Sequence, residues 1–145
     1  MQKRPKLRVF LDTNVIFSGL YSSDSPAGII LDHFTEGKLT VVISQQVLEE
    51  VVRTIKEKLP VVLPLLRKLL GSVSLEIIKA PTSEEIINWT QVIHPEDAAI
   101  LAAAINARTD YLVTGDKHFL ENPDINERSG LIIVTPKQFL AYLND

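Results

Sequence analysis

A three-layer α/β/α fold, with a central, mostly parallel sheet of about five strands between helices, is predicted by two features of the chain. Short apolar runs without helical spacing alternate with segments whose apolar residues recur at helical period. The helical segments are bounded by Ser, Thr or Pro at the start and by Gly or Pro at the end. The strands of a parallel sheet read as near-continuous hydrophobic runs because both of their faces are covered.

Residues 7–11 form the first such run and predict a buried central strand. Asp24, Ser25 and Pro26 predict a helix start, with Ser25 as cap and Pro26 in the first helical position. Ile29, Ile30, Leu31 and Phe34 give that helix its apolar side, and Gly37 stops it. Residues 39–43 predict a second buried strand. Ser44 then caps a helix in which Val47, Leu48, Val51, Val52 and Ile55 share one face, and Pro60 ends it. Residues 63–70 predict a further helix closed by Gly71, residues 73–78 a third strand, and Ser83 a helix running to Trp89. Pro95 opens a helix whose Ala-rich stretch, 98–107, combines high helix propensity with side chains small enough for close approach to a sheet. Residues 111–114 predict a strand turned by Gly115, and residues 131–134 the last strand. Thr135 and Pro136 begin a final helix carrying Phe139, Leu140 and Leu143. The polar stretch 121–130, with its Pro and Gly, is expected to be a loop.

The 145 residues suit a single domain over 1–145, and 46% are hydrophobic, enough for a packed core. There are no cysteines, which removes a disulfide frame and a thiolate metal site and fits a cytoplasmic location. No apolar run approaches the ~20 residues of a membrane span. The apolar stretch behind the basic start ends at Asp12, so secretion is not expected. The net charge of −3 counts mildly against a nucleic-acid partner. Basic residues that could supply a local patch are Lys3, Arg4, Lys6 and Arg8, then Arg53, Lys56 and Lys58, then Arg67 and Lys68.

Four acids carry the candidate chemistry: Asp12, Glu50, Asp97 and Asp116. Asp12 and Asp116 follow apolar strands, and ligands of open α/β sheets bind beyond the carboxyl ends of strands. Gly115 is expected to let the chain turn sharply and bring Asp116 back to the sheet edge. Glu50 and Asp97 lie near helix starts. Each acid has an ordinary alternative, since Asp is common in turns and acids favour the first turn of a helix. Periodicity does not separate Glu49 from Glu50. Arg53 lies four residues after Glu49, an ion-pair spacing that leaves Glu50 freer. Mg²⁺ and Mn²⁺ prefer such oxygen ligands, and two ions ~3.5–4 Å apart serve phosphodiester hydrolysis. Thr13, Asn14 and Thr114 are candidates to orient ligands or waters, and Ser18 suits a turn or cap. His33, His94 and His118 lack zinc-site spacing. His94 and His118 lie near Asp97 and Asp116 in sequence, where either could touch phosphate, and a solvent-exposed position is the expected one for both. HExxH, a Walker loop, GxGxxG and GxSxG are all missing.

LDTNVIFSGL (11–20), SQQVLEEV (44–51), HPEDAAILAAAINARTDYLVTGDKHFL (94–120) and IIVTPKQFL (132–140) together resemble the PIN-domain ribonucleases, in particular small prokaryotic members associated with toxin–antitoxin pairs. The resemblance covers most of the chain. It implies helices on both sides of the sheet, Mg²⁺ or Mn²⁺ dependence, cleavage of single-stranded RNA, frequent homodimers and an antitoxin protein as partner. By position it puts the acidic site on Asp12, Glu50, Asp97 and Asp116, with Asn14 and Thr114 as accompanying polar residues, and its SxxVLxE spacing selects Glu50 over Glu49. The chain departs from it at His94 and Ala98, where many relatives carry acids. Two other readings stand beside a metal-dependent endoribonuclease. One is a catalytically silent module of the same fold that binds RNA or protein. The other is a small-molecule phosphatase, disfavoured because Asn14 stands where the DxDxT pattern needs its second Asp.

Overall fold

The computed structural model describes residues 6–143. Five strands, β1 (Leu7–Leu11), β2 (Leu39–Ser44), β3 (Leu75–Ile78), β4 (Tyr111–Val113) and β5 (Ile132–Val134), form one sheet in the order β3-β2-β1-β4-β5. Every neighbouring pair is parallel. The helices are α1 (Thr13–Tyr21), α2 (Pro26–Thr35), α3 (Gln45–Lys58), α4 (Leu63–Leu70), α5 (Ser83–Ile87), α6 (Pro95–Asn106), α7 (Lys117–Leu120), α8 (Pro123–Ser129) and α9 (Pro136–Leu143), with a 3-10 turn at Pro60–Val62. Among the described residues, no helix is long and apolar enough to cross a membrane.

The central strand β1 is covered on both sides, and Val9, Phe10 and Leu11 are fully buried. Leu11, Val41, Ile43 and Leu75 share one apolar lining with Ile16, Leu31, Phe34, Val51 and Leu66, so α1–α4 cover that face. Helix α9 joins the same layer: it packs on α2, and its buried Phe139 meets Tyr111 edge-on at 5.1 Å. Tyr142, half-exposed, lies 5.7 Å from the same tyrosine. Helix α6, packed on β2 and carrying α5, covers the opposite face with fully buried Ala98, Leu101, Ala103 and Ala104.

Local chemistry sets the boundaries. The Ser25 hydroxyl accepts from Gly28 N at 3.1 Å at the start of α2, and Ser44 accepts from Val47 N at 3.2 Å at the start of α3. Thr82 and Glu85 form a reciprocal capping box that opens α5.

Three expectations need correction. Helices α1 and α7 stand where no element was anticipated, each beginning one residue after a strand-end aspartate that caps it. The stretch 121–130 holds α8, not only loop. Its Pro123 occupies the first turn, and Gly130 closes it in the left-handed conformation (φ 74°). Pro and Gly here bound a helix instead of breaking one, and the fully buried Ile125 docks it. Gly115 has no positive φ among the described backbone, and a Cβ there would sit at an ordinary 3.6 Å from Asn14. The turn into Asp116 is therefore held by hydrogen bonds and does not require glycine.

Close approach does require glycine at position 28. A Cβ there would press on the carbonyl oxygen of Ser22 at 2.5 Å and on that of Ser23. Gly28→Ala in a helix with normal φ would ordinarily stabilise slightly. Here the clash with rigid backbone outweighs that gain, and we expect a loss of about 1–3 kcal/mol, measured by urea unfolding.

Candidate active site

The winding of the chain across the parallel sheet reverses between β1 and β4. From β1 the chain winds towards β2 and β3, and from β4 it winds towards β5. Such a switch point leaves a crevice beyond the carboxyl ends of the two strands. Asp12 follows β1 and Asp116 follows β4. Helices α3 and α6 bring Glu50 and Asp97 to the same crevice. The resulting cleft of about 340 Å³ is lined by Asp12, Thr13, Asn14, Phe17, Gln46, Glu50, Thr54, Lys58, Glu96, Asp97, Ile100 and Asp116.

Asp12 is the innermost acid, 5% exposed. Its amide continues the strand ladder by donating to Val113 O at 3.1 Å. Its carboxylate accepts from Thr13 N (2.8 Å, Oδ1) and from the Thr114 hydroxyl (2.8 Å, Oδ2). The buried Thr114 hydroxyl also accepts from Asp116 N at 3.0 Å, coupling the two strand-end acids. Glu50 is held by the Thr13 hydroxyl at 2.8 Å and by the Gln46 amide at 3.2 Å. Asn14 accepts from Gly115 N at 3.2 Å, tying the start of α1 to the turn after β4.

Glu49 faces elsewhere, on an exposed patch of α3 with Arg53. The anticipated Glu49–Arg53 ion pair is not among the pairs formed by the described residues, and Glu49 instead accepts from Gln45 at 3.4 Å. Ser18 is exposed on α1 and does not line the cleft.

Asp97 and Asp116 come together more tightly than the rest, and His118, solvent-exposed as expected, joins them. His118 Nδ1 lies 3.1 Å from Asp97 Oδ2 and 3.7 Å from Asp116 Oδ1, and its backbone N–H donates to Asp116 Oδ1 at 2.9 Å. One ligand atom from each of these three residues falls within 4.8 Å of the others. Neither Asp12 nor Glu50 belongs to that group. The sequence signal for His118 was its position two residues after Asp116, where a one-turn helix returns the ring to its cap. His94 instead caps α6, its Nδ1 accepting from Glu96 N at 3.3 Å, and Ala98 is fully buried.

Of the basic candidates within the described residues, only Lys58 lines the cleft. Arg8 sits at the amino end of β1, bound to Glu76 (2.8 Å) and to Ala107 O (2.8 Å). Lys3 and Arg4 lie outside the described residues.

A divalent cation suits this donor set. The oxygens come from separate backbone elements, two of the acids share a neighbourhood tight enough to ligate one ion, and burial leaves Asp12 in need of positive charge. Burial raises the Asp12 carboxyl from the ordinary 3.8 to about 6 against the lowering effect of Thr114 and Thr13, with Asp116 and Glu50 adding repulsion.

Comparison with known proteins follows the same lines. The family model described as PIN domain matches residues 8–118. An uncharacterized protein of Methanocaldococcus jannaschii is 29% identical over 93% of this chain and 90% of its own length. Among solved structures, VapBC2 of Rickettsia felis, bound to a DNA fragment from its promoter, is similar with a TM-score of 0.63 at 22% identity, covering 89% of this chain and 98% of that one. A protein of Pyrobaculum aerophilum gives 0.66 at 14% identity, covering 95% and 90%. A toxin–antitoxin complex from Klebsiella pneumoniae gives 0.59 at 24% identity, covering 88% and 97%.

The Asp12 shift has a definite sign. A carboxyl with a folded pKa above its unfolded value binds protons more tightly when folded. Its contribution is therefore greatest below pH 3.8 and is lost as pH rises to about 6. The loss is on the order of 2–3 kcal/mol in the metal-free protein. Asp12→Asn keeps the neutral shape at all pH. It should be more stable than the parent at pH 7 in EDTA and similar to it near pH 4, a difference that urea unfolding at the two pH values would measure.

Proposed function

The chain belongs to the PIN-domain family, and from that premise we propose that it is a metal-dependent endoribonuclease that hydrolyses phosphodiester bonds of single-stranded RNA. The observation that carries this reading is the convergence of Asp12, Glu50, Asp97 and Asp116 on one cleft at the switch point of the sheet. Acids so placed repel one another and are tolerated most readily when positive charge is bound among them.

Asp97 and Asp116 would hold a Mg²⁺ or Mn²⁺ ion, with Asp12 behind them. Bound there, the ion supplies Lewis-acid stabilisation of the charge that develops on the phosphoryl oxygens. Glu50, fixed by Thr13 and Gln46, orients the attacking water and accepts its proton. Thr114 keeps Asp12 and Asp116 in register. Asn14 steadies the turn that carries Asp116. Gln46, Glu50, Thr54 and Lys58 recur every four residues, so they form one stripe ~18 Å long on α3. Lys58 at its far end holds a flanking phosphate of the strand without reading a base. Phe17 and Ile100 offer the cleft an apolar wall against which a base can rest.

The cellular role proposed is that of the toxin in a toxin–antitoxin pair: a cytoplasmic protein, a homodimer, neutralised by an antitoxin protein. Its support is the fold shared with VapBC2 and with the Klebsiella complex.

Digestion of unstructured RNA with Mn²⁺ or Mg²⁺ should give fragments, and EDTA should stop it. Asp116→Asn should lower the rate by about 10²–10³-fold, the scale expected when a main electrostatic contribution is removed, with melting temperature retained. Cleavage by that variant at the parental rate would sink the mechanism. No cleavage by the parent, together with RNA binding, would favour the silent module. Lys58→Ala should raise KM and reduce the slope of log affinity against log salt by about 0.7.

A further inference from the structure

We propose that His118 is a nitrogen ligand of the bound cation, making the site a mixed Asp97–Asp116–His118 centre that selects Mn²⁺ over Mg²⁺. The inference rests on the reading of the cleft as a divalent-metal site and deepens it by assigning a nitrogen donor, which favours Mn²⁺ over Mg²⁺.

The distances favour coordination. With bonds of ~2.1 Å, neighbouring ligands on an octahedral ion lie about 3 Å apart and opposite ones about 4.2 Å. His118 Nδ1 is 3.1 Å from Asp97 Oδ2 and 3.7 Å from Asp116 Oδ1, and the set as a whole closes within 4.8 Å. An ion can therefore enter among the three donors with small side-chain adjustments. Backbone geometry fixes the arrangement from two directions. Asp97 projects from the first turn of α6, and Asp116 caps α7 by accepting from the amide of His118 itself. The ring and the capping carboxylate thus belong to one turn of chain, and the spacing Asp-x-His returns the imidazole to its own cap.

A purely structural role accounts poorly for this placement. The His118 side chain is 69% exposed, and exposed ion pairs contribute little to stability. The Phe119 side chain, fully buried, already anchors α7 to the core. What the imidazole changes is the chemistry of the cluster. Mg²⁺ takes oxygen ligands and dehydrates reluctantly, whereas first-row transition ions accept imidazole. Two carboxylates and one imidazole, with further positions open to water or phosphate oxygens, suit Mn²⁺ better than Mg²⁺.

The test compares the full chain with His118→Ala and Asp116→Asn by calorimetric titration with Mn²⁺ and with Mg²⁺. The parent should bind Mn²⁺ more tightly than Mg²⁺ by about tenfold or more. His118→Ala should lose most of that preference while its Mg²⁺ affinity stays within about twofold, and Asp116→Asn should weaken both ions. Pulsed electron paramagnetic resonance of bound Mn²⁺ gives a direct signature. Modulation from an imidazole nitrogen should be present in the parent and absent from His118→Ala. A Mn²⁺ to Mg²⁺ ratio unchanged by His118→Ala, or no nitrogen modulation in the parent, overturns the assignment. If the parent still binds ions and cuts RNA, the nuclease reading survives that result. Binding of neither ion by the parent would sink both.

Discussion

Burial of one carboxylate organises this end of the molecule. Asp12 extends the central strand, its amide is committed to the ladder with β4, and its side chain has little access to water. A carboxylate in that position needs donors, and the fold provides them from the two nearest pieces of chain: the first amide of α1 and the hydroxyl of Thr114. Thr114 must then be buried as well, and it satisfies its own second capacity by accepting from Asp116 N. The position of Asp116 follows from how Asp12 is solvated, so the second strand-end acid is placed by the needs of the first.

The parallel sheet turns that local arrangement into a cleft. Because β1 and β4 are neighbours whose chain paths leave in opposite directions, nothing in the winding of the chain covers the space beyond their ends. Helix α3, capped by the last residue of β2, enters from one side, and α6 enters from the other. Four acids thus arrive on four separate backbone segments, each anchored by buried apolar residues such as Val47, Val51, Leu101 and Phe119. Preorganisation of this kind is expensive, first through the burial of Asp12 and to a lesser degree through repulsion from Asp116 and Glu50, which agrees with the elevated Asp12 carboxyl.

Much of this was legible before coordinates. The five strands lie where apolar runs predict them, with β3 and β5 shortened at their starts, β4 shortened at its end and β2 extended by one residue, and Ser25 and Ser44 cap the helices they were expected to cap. Such features depend on local pattern. The convergence of Asp12, Glu50, Asp97 and Asp116 was legible from parallel topology together with the family resemblance, whose SxxVLxE spacing selects Glu50 over Glu49. What escaped depends on tertiary context. Helix α1 begins directly at a strand end, leaving no turn residues to announce it. Helix α8 is short and polar apart from Ile125, so its bounding Pro and Gly read as loop signals. His118 is exposed as expected, but its contact with Asp97 escaped because that partner is distant in sequence and the one-turn helix that brings them together has almost no periodicity to detect.

At Asp12 and Asp116 a capping role and the proposed functional one are compatible. Each uses Oδ1 to cap the helix that follows, Asp12 through Thr13 N and Asp116 through His118 N. A cap fixes the rotamer and draws the carboxylate towards backbone amides, leaving the remaining lone pairs directed at the cleft. The same residue type satisfies both demands because the cap needs an acceptor and the site needs charge. Asn supplies the acceptor without the charge, whereas Ala supplies neither. A loss seen with Ala alone therefore reports on the helix start, and a loss shared by Ala and Asn reports on the negative charge. At Asp12 the two demands oppose each other energetically: the cap stabilises the fold, while the buried charge destabilises it until positive charge is nearby. That opposition is the physical reason to propose a site at this end of the sheet.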